Sequence, residues 1–163
     1  IQAALTGHLV FSTLHTNDAA GAVTRLIDMK IEPFLISSSV MAILAQRLVR
    51  VLCKECREPY EMTPAEIAEL EIKGGAAGAT VYRAKGCATC FNTGYLGRKA
   101  IYELLLIDDE IRQLIMKNTD SATLKAVAMQ KGMRTLRQDG ADNILQGITS
   151  VDEVVRVTQK ETH

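Results

Sequence analysis

The sequence predicts an α/β fold with a four-cysteine module inserted into it and a helical tail behind. Three observations carry that prediction. The run GHLVFSTLHT opens on Gly7, passes through apolar and β-branched residues and ends at His15, with helix-capping residues directly after it. All four cysteines fall in two C-x2-C pairs, Cys53/Cys56 and Cys87/Cys90. From Asp108 onward the chain reads as a series of capped helical segments.

Taken in order, Ile1–Leu5 is the end of a helix, with Gly7 as its stop. Leu9–Leu14 has the continuous apolar character of a strand buried on both faces, as in a parallel sheet. Thr16, Asn17 and Asp18 supply N-cap chemistry for a helix over Ala19–Met29, with Ala22, Val23, Leu26 and Ile27 on one face. Pro33 opens a mostly buried helix that runs through SSSVMAILAQRLVRVL. Cys53–Tyr60 is a cysteine loop. Thr63–Glu71 is a short helix whose Thr63 and Glu66 complete a capping box. Lys73–Ala79 is a glycine-rich turn, Thr80–Arg83 a short strand, Gly86–Gly97 a second cysteine loop and Arg98–Leu106 a strand leaving the module. Asp108–Lys117 has an acidic first turn and a basic end, matching the helix dipole. Ser121–Lys131 is capped by Ser121 and stopped by Gly132. Leu136–Gln146 stops at Gly147, and Ser150 with Glu153 opens the last helix through a second capping box.

Composition narrows the function classes. Lysine plus arginine balance aspartate plus glutamate at 19 each, so the 163 residues carry no formal net charge. That argues against nucleic acid as the main partner, because such domains carry a basic excess. The basic residues near the cysteines (Lys54, Arg57, Arg83, Lys85) are interrupted by Glu55, Glu58 and Glu61. No apolar run approaches the roughly 20 residues that span a bilayer, and no charged n-region marks a signal peptide. The chain starts at Ile1 and is expected to be a piece of a larger protein.

Each C-x2-C loop brings two thiolates to one point, and a second such loop completes a tetrahedron, which suits a structural zinc ion. Four protein ligands leave no open coordination position, and a metal replaces the core that so small a module cannot build. Cys53, Cys56, Cys87 and Cys90 are the expected ligands. Two disulfides, free thiols or an iron–sulfur cluster remain as alternatives.

His15 stands just past the expected strand. Ligand crevices in open α/β sheets lie at the carboxyl ends of strands, and a histidine there beside a helix N-terminus would meet an anionic group. A satisfied histidine at a strand end is the plainer reading of the same position. His8 opens the same strand and belongs at its other end.

At these residues a resemblance emerges. The stretch LTGHLVFSTLHTNDAAGAVTRLIDM resembles the histidine box of the secretion ATPases, which drive type II secretion and type IV pilus assembly. IEPFLISSSVMAILAQRLVRVLC, the paired cysteines, GYLGRKAIYELL and the tail GMRTLRQDGADNILQGITSVDEVVRVT resemble the family's segments beyond that box, so the similarity covers Ala3 to Thr158. The tail is closer to the type II secretion member.

The resemblance implies a partial RecA-like domain. Residues 1–52 would be the C-terminal part of its ATPase core, 53–97 the zinc module, and 98–163 a strand plus helical subdomain. It implies His15 as the sensor of the ATP γ-phosphate, His8 as the second histidine of the box, and Thr13, Thr16 and Arg25 as neighbours of the bound nucleotide. It implies ATP with Mg²⁺ in the intact protein, a homo-hexamer, a cytoplasmic location against inner-membrane secretion platform proteins, and structural zinc. No G-x-x-x-x-G-K-[ST] phosphate loop occurs in these residues, so the chain alone is expected to be inactive. A reading from a different class, a zinc-stabilised protein-interaction module with structural histidines, stands beside it.

Overall fold

The computed structural model describes residues 1–72 and 78–158. Its elements run α1 (Gln2–Leu5), α2 (Ala19–Asp28), α3 (Pro33–Ser39), β1 (Ala42–Leu52), β2 (Glu58–Glu61), α4 (Pro64–Glu69), β3 (Thr80–Arg83), β4 (Tyr95–Leu106), α5 (Asp109–Met116), α6 (Ser121–Gln130), α7 (Leu136–Leu145) and α8 (Val151–Thr158). Ala88–Cys90 forms a single 3-10 turn. β1 pairs with β4, and β2 pairs with β3. No described helix is long and apolar enough to cross a membrane. The expected turn at Lys73–Ala79 falls largely on residues 73–77, outside the described residues.

The chain divides into two compact units. One comprises 1–45 and 103–134, the other 46–102 and 135–163. In the first, α2 packs on α3 and α6, and α3 packs on α5. Its core is Ala19, Ala20, Ala22 and Val23 of α2 with Ile36, Leu105, Ile111, Ile115 and Leu124. The small residues at the start of α2 let the helix approach its neighbours closely. Each buried isoleucine or leucine contributes about 1.5–3 kcal/mol.

In the second unit, β2 and β3 form an antiparallel pair that sets Glu58 against Arg83 and Tyr60 against Val81. α7 packs on β3 and on α8. The Thr63–Glu66 capping box at α4 forms as expected, with Thr63 N–H donating to Glu66 at 2.8 Å. Leu52, Met62, Leu70, Val81, Ile101, Ile144 and Val154 make the core.

Four expectations require correction. The helix predicted from Pro33 through Leu52 stops at Ser39, and Ala42–Leu52 is a strand. Ser38 and Ser39 donate their hydroxyls to the carbonyls of Phe34 and Leu35, which satisfies the last turn locally, and the β-branched Val40 then turns the backbone extended. Pairing with β4 supplies the ladder for the strand beyond it. Second, Leu9–Leu14 is neither in a sheet nor buried: Leu9 is 75% and Phe11 90% exposed. A strand needs a neighbour, and among the described residues none pairs with this segment. Third, α6 is capped by Asp120, whose carboxylate accepts the Thr123 N–H at 2.9 Å, and not by Ser121. At the last helix, Ser150 accepts the Glu153 N–H, while the Glu153 carboxylate turns to arginines and leaves that side of the capping box.

Candidate metal centre and histidine segment

The four cysteines converge. Their Sγ atoms all lie within 4.8 Å of one another. Cys53 and Cys87 are 3.9 Å apart, Cys56 and Cys90 3.8 Å, and Cys87 and Cys90 3.7 Å. A tetrahedron of sulfurs at about 2.3 Å from one ion has edges of roughly 3.8 Å. None of the four is in a disulfide. The donor set and spacing therefore fit a metal ion held by four thiolates.

Backbone N–H groups support the sulfurs. Gly86 donates to Cys56 Sγ at 3.3 Å, while Cys87 and Gly94 donate to Cys90 Sγ at 3.2 Å. Burial works to raise the Cys90 thiol, but the Cys87 and Gly94 donors outweigh it and hold its pKa down. Burial raises that of Cys56. Such N–H donors favour thiolate, the form a metal binds. Two left-handed residues, Phe91 and Asn92, turn the second loop back so that Asn92 N–H reaches Cys87 O at 2.8 Å.

The module is tied to the turn between α7 and α8. Cys53 N–H donates to Gly94 O, and Leu52 N–H to Ile148 O. The Arg57 guanidinium lies over the Tyr82 ring, 4.2 Å from its centroid, and donates to Gly147 O. Tyr95 Oη and Ser150 Oγ are 2.7 Å apart.

The histidine segment is different in kind. His8, Thr13, His15 and Arg25 are all exposed, and Thr16 is half-buried. His8 Nδ1 lies 3.1 Å from Thr6 Oγ1. Thr16 Oγ1 donates to Asp18 O at 3.1 Å. Unlike the cysteines, these side chains are not drawn into one cluster by the described contacts.

The start of α2 follows directly on the histidine segment. Two of its first-turn N–H groups already meet carboxylates. Asp18 accepts from Gly21 at 2.8 Å, and Glu103 of β4 accepts from Ala19 at 2.9 Å. Lys125 of α6 stands between them, 2.9 Å from Asp18 and 3.5 Å from Glu103. Burial opposes the lysine's charge, but the two carboxylates outweigh it and raise its pKa. Sequence reasoning missed Glu103 and Lys125. The available signal was an acid at an inward position of the apolar strand IYELLL.

The family model described as type II/IV secretion system protein matches residues 1–156. The chain belongs to that family. It is 52% identical over 161 residues to the type II secretion system protein E of Pseudomonas aeruginosa, covering 99% of this chain and 32% of the relative. It is 51% identical over 164 residues to the type II secretion system ATPase E of Vibrio cholerae, covering 98% of this chain and 31% of the relative. The type IV pilus assembly ATPase PilB of Thermus thermophilus is 48% identical over 162 residues, or 96% of this chain and 18% of PilB. Among solved structures, the pilus retraction motor PilT with bound ADP aligns at a TM-score of 0.61 and 25% identity, covering 98% of this chain and 35% of PilT. The α/β fold is thus similar to that of the motor. The chain spans about a third of the length of the type II relatives it matches.

Proposed function

We propose that this chain is the C-terminal part of a cytoplasmic motor ATPase that drives export through a type II secretion system. The observation that carries the reading is its identity of about half, sustained over 99% of its length, with a type II secretion system protein E. In this reading the residues belong to a partial RecA-like domain, with 1–52 as core, 53–97 as zinc module and 98–163 as C-terminal subdomain. The intact protein would use ATP with Mg²⁺, assemble as a homo-hexamer and work against platform proteins of the inner membrane, without nucleic acid.

His15 is assigned the sensing role. Its exposed imidazole offers an N–H donor to a γ-phosphate oxygen and loses that partner after hydrolysis. His8, Thr13 and Arg25, exposed on the same segment and on α2, are assigned to the nucleotide's surroundings. Zinc would be held by Cys53, Cys56, Cys87 and Cys90. Closed four-thiolate coordination gives it a structural role, fixing the module as a rigid piece.

The test compares the full-length protein with this chain. Full-length protein is expected to hydrolyse ATP and to restore export in a host lacking its own secretion ATPase. The chain alone, without a phosphate-binding loop, is expected to do neither. Full-length protein without ATP turnover would contradict the reading. The 48% identity to PilB favours pilus assembly as the second reading, and restored pili with export still blocked would select it.

A further inference from the structure

The geometry points to Glu103 as a positioning residue for the histidine segment, an assignment that rests on the sensing role given to His15. Glu103 is 1% exposed. A carboxylate is costly to bury, so it persists where its hydrogen bonds fix something specific. Here it accepts the N–H of Ala19, the first residue of α2 and four positions after His15.

Three further contacts lock the same short stretch. Thr16 Oγ1 holds Asp18 O, and the Asp18 carboxylate holds both Gly21 N–H and Lys125. Lys125 balances Asp18 and Glu103 together. The result is that the backbone leaving His15 is pinned on one side by β4 and on the other by α6. An imidazole on a free loop would lose its aim and the entropy of ordering at each turnover. One leaving a pinned backbone keeps its direction. Glu103 therefore acts through His15 and touches no nucleotide itself.

The alternative is a helix cap that serves stability alone. A double-mutant cycle in the full-length protein separates the two, with kcat and KM for ATP measured for wild type, Glu103→Ala, Glu103→Gln, His15→Ala and the Glu103→Ala/His15→Ala pair. Glu103→Ala is expected to lower kcat about tenfold or more with KM within about threefold, since misplacing a catalytic group costs rate before binding. Glu103→Gln keeps an oxygen that accepts from Ala19 and is expected to retain most of kcat. Adding His15→Ala to Glu103→Ala is expected to cost far less than His15→Ala costs alone.

Wild-type turnover in Glu103→Ala overturns the assignment. So does a Glu103→Gln enzyme as slow as Glu103→Ala, and so do two losses that multiply in full. If Glu103→Ala does not accumulate as folded protein, Glu103→Asp takes its place, because the shorter side chain falls short of the Ala19 N–H. A His15→Ala enzyme with unchanged turnover would remove the sensing role itself, and Glu103's with it. An altered His15→Ala beside a wild-type Glu103→Ala would remove only the latter.

Discussion

Arg50 and Glu153 close three hydrogen bonds on each other: the Arg50 backbone N–H and Nε each donate at 3.0 Å, and Nη2 donates at 2.7 Å. Arg156, one turn along α8, adds two more to the same carboxylate. Glu153 is 1% exposed, while Arg50 also lies 4.1 Å from the centroid of the Tyr95 ring. The pair thus fastens α8 to β1 and to the aromatic residue that opens β4.

This arrangement fixes a pH dependence. Burial favours the neutral acid, but the hydrogen bonds from Arg156 and Arg50 outweigh it and hold Glu153 at about 2, against an ordinary value of 4.5. A depressed carboxylate contributes stability above its unfolded pKa and loses it as pH falls toward the folded one. The contribution is therefore complete above pH 4.5 and fades toward pH 2. It amounts to at most about 3 kcal/mol, and less because the arginines are half in solvent. Thermal unfolding of wild type and Glu153→Gln should differ most above pH 4.5 and converge on acidification. A gap that does not narrow with falling pH would contradict the pairing.

Gly140, inside α7, carries a second prediction. Alanine in an exposed helix interior is favoured over glycine by about 1 kcal/mol. Here an added Cβ would stand 2.5 Å from Cγ1 of Val154 on α8. Overpacking of that kind costs about 1–3 kcal/mol, so Gly140→Ala should destabilise the chain despite its helix propensity. Truncating the partner with Val154→Ala should make the same substitution neutral or favourable, as urea unfolding of the double variant would register. A stabilising Gly140→Ala in the wild-type background would show that the two helices part easily.

The cysteine module supplies the third. Gly94 adopts φ +76°, and a Cβ there would lie 2.6 Å from that of Ala84. Its N–H supports Cys90 Sγ and its carbonyl receives the Cys53 N–H. Gly94→Ala should lower zinc affinity on the order of tenfold, as loss of outer-shell support does for metal sites. Competition against a chromogenic chelator measures this. The wild-type chain should hold one zinc ion, and Cys90→Ser should hold it far more weakly. Zinc affinity unchanged in both variants would remove the four-thiolate site.

What was legible in the sequence was local. Two C-x2-C pairs can meet only around a common point, so Cys53, Cys56, Cys87 and Cys90 could be grouped from spacing alone. The Thr63–Glu66 box and the stops at Gly7, Gly132 and Gly147, all at positive φ, are decided within a few residues. What was not legible depended on partners far along the chain. Ala42–Leu52 contains good helix formers as well as isoleucine and valine, and pairing with Tyr95–Leu106 decides for the strand. Leu9–Leu14 has strand composition, but composition does not supply a neighbour. Asp120 outcompeted Ser121 as cap because its carboxylate reaches both the N–H and the hydroxyl of Thr123. Around the histidines, the sequence marked His15 but not the Glu103 and Lys125 that secure the helix after it.

If His15 reports nucleotide state in a secretion motor, removing its imidazole stops turnover and spares binding. The most direct measurement is ATP turnover by full-length protein carrying His15→Ala, paired with its affinity for a non-hydrolysable ATP analogue. A loss of turnover on the order of a hundredfold is expected, as for removal of one aimed donor at a reacting group, with affinity largely kept. An unchanged rate would contradict it.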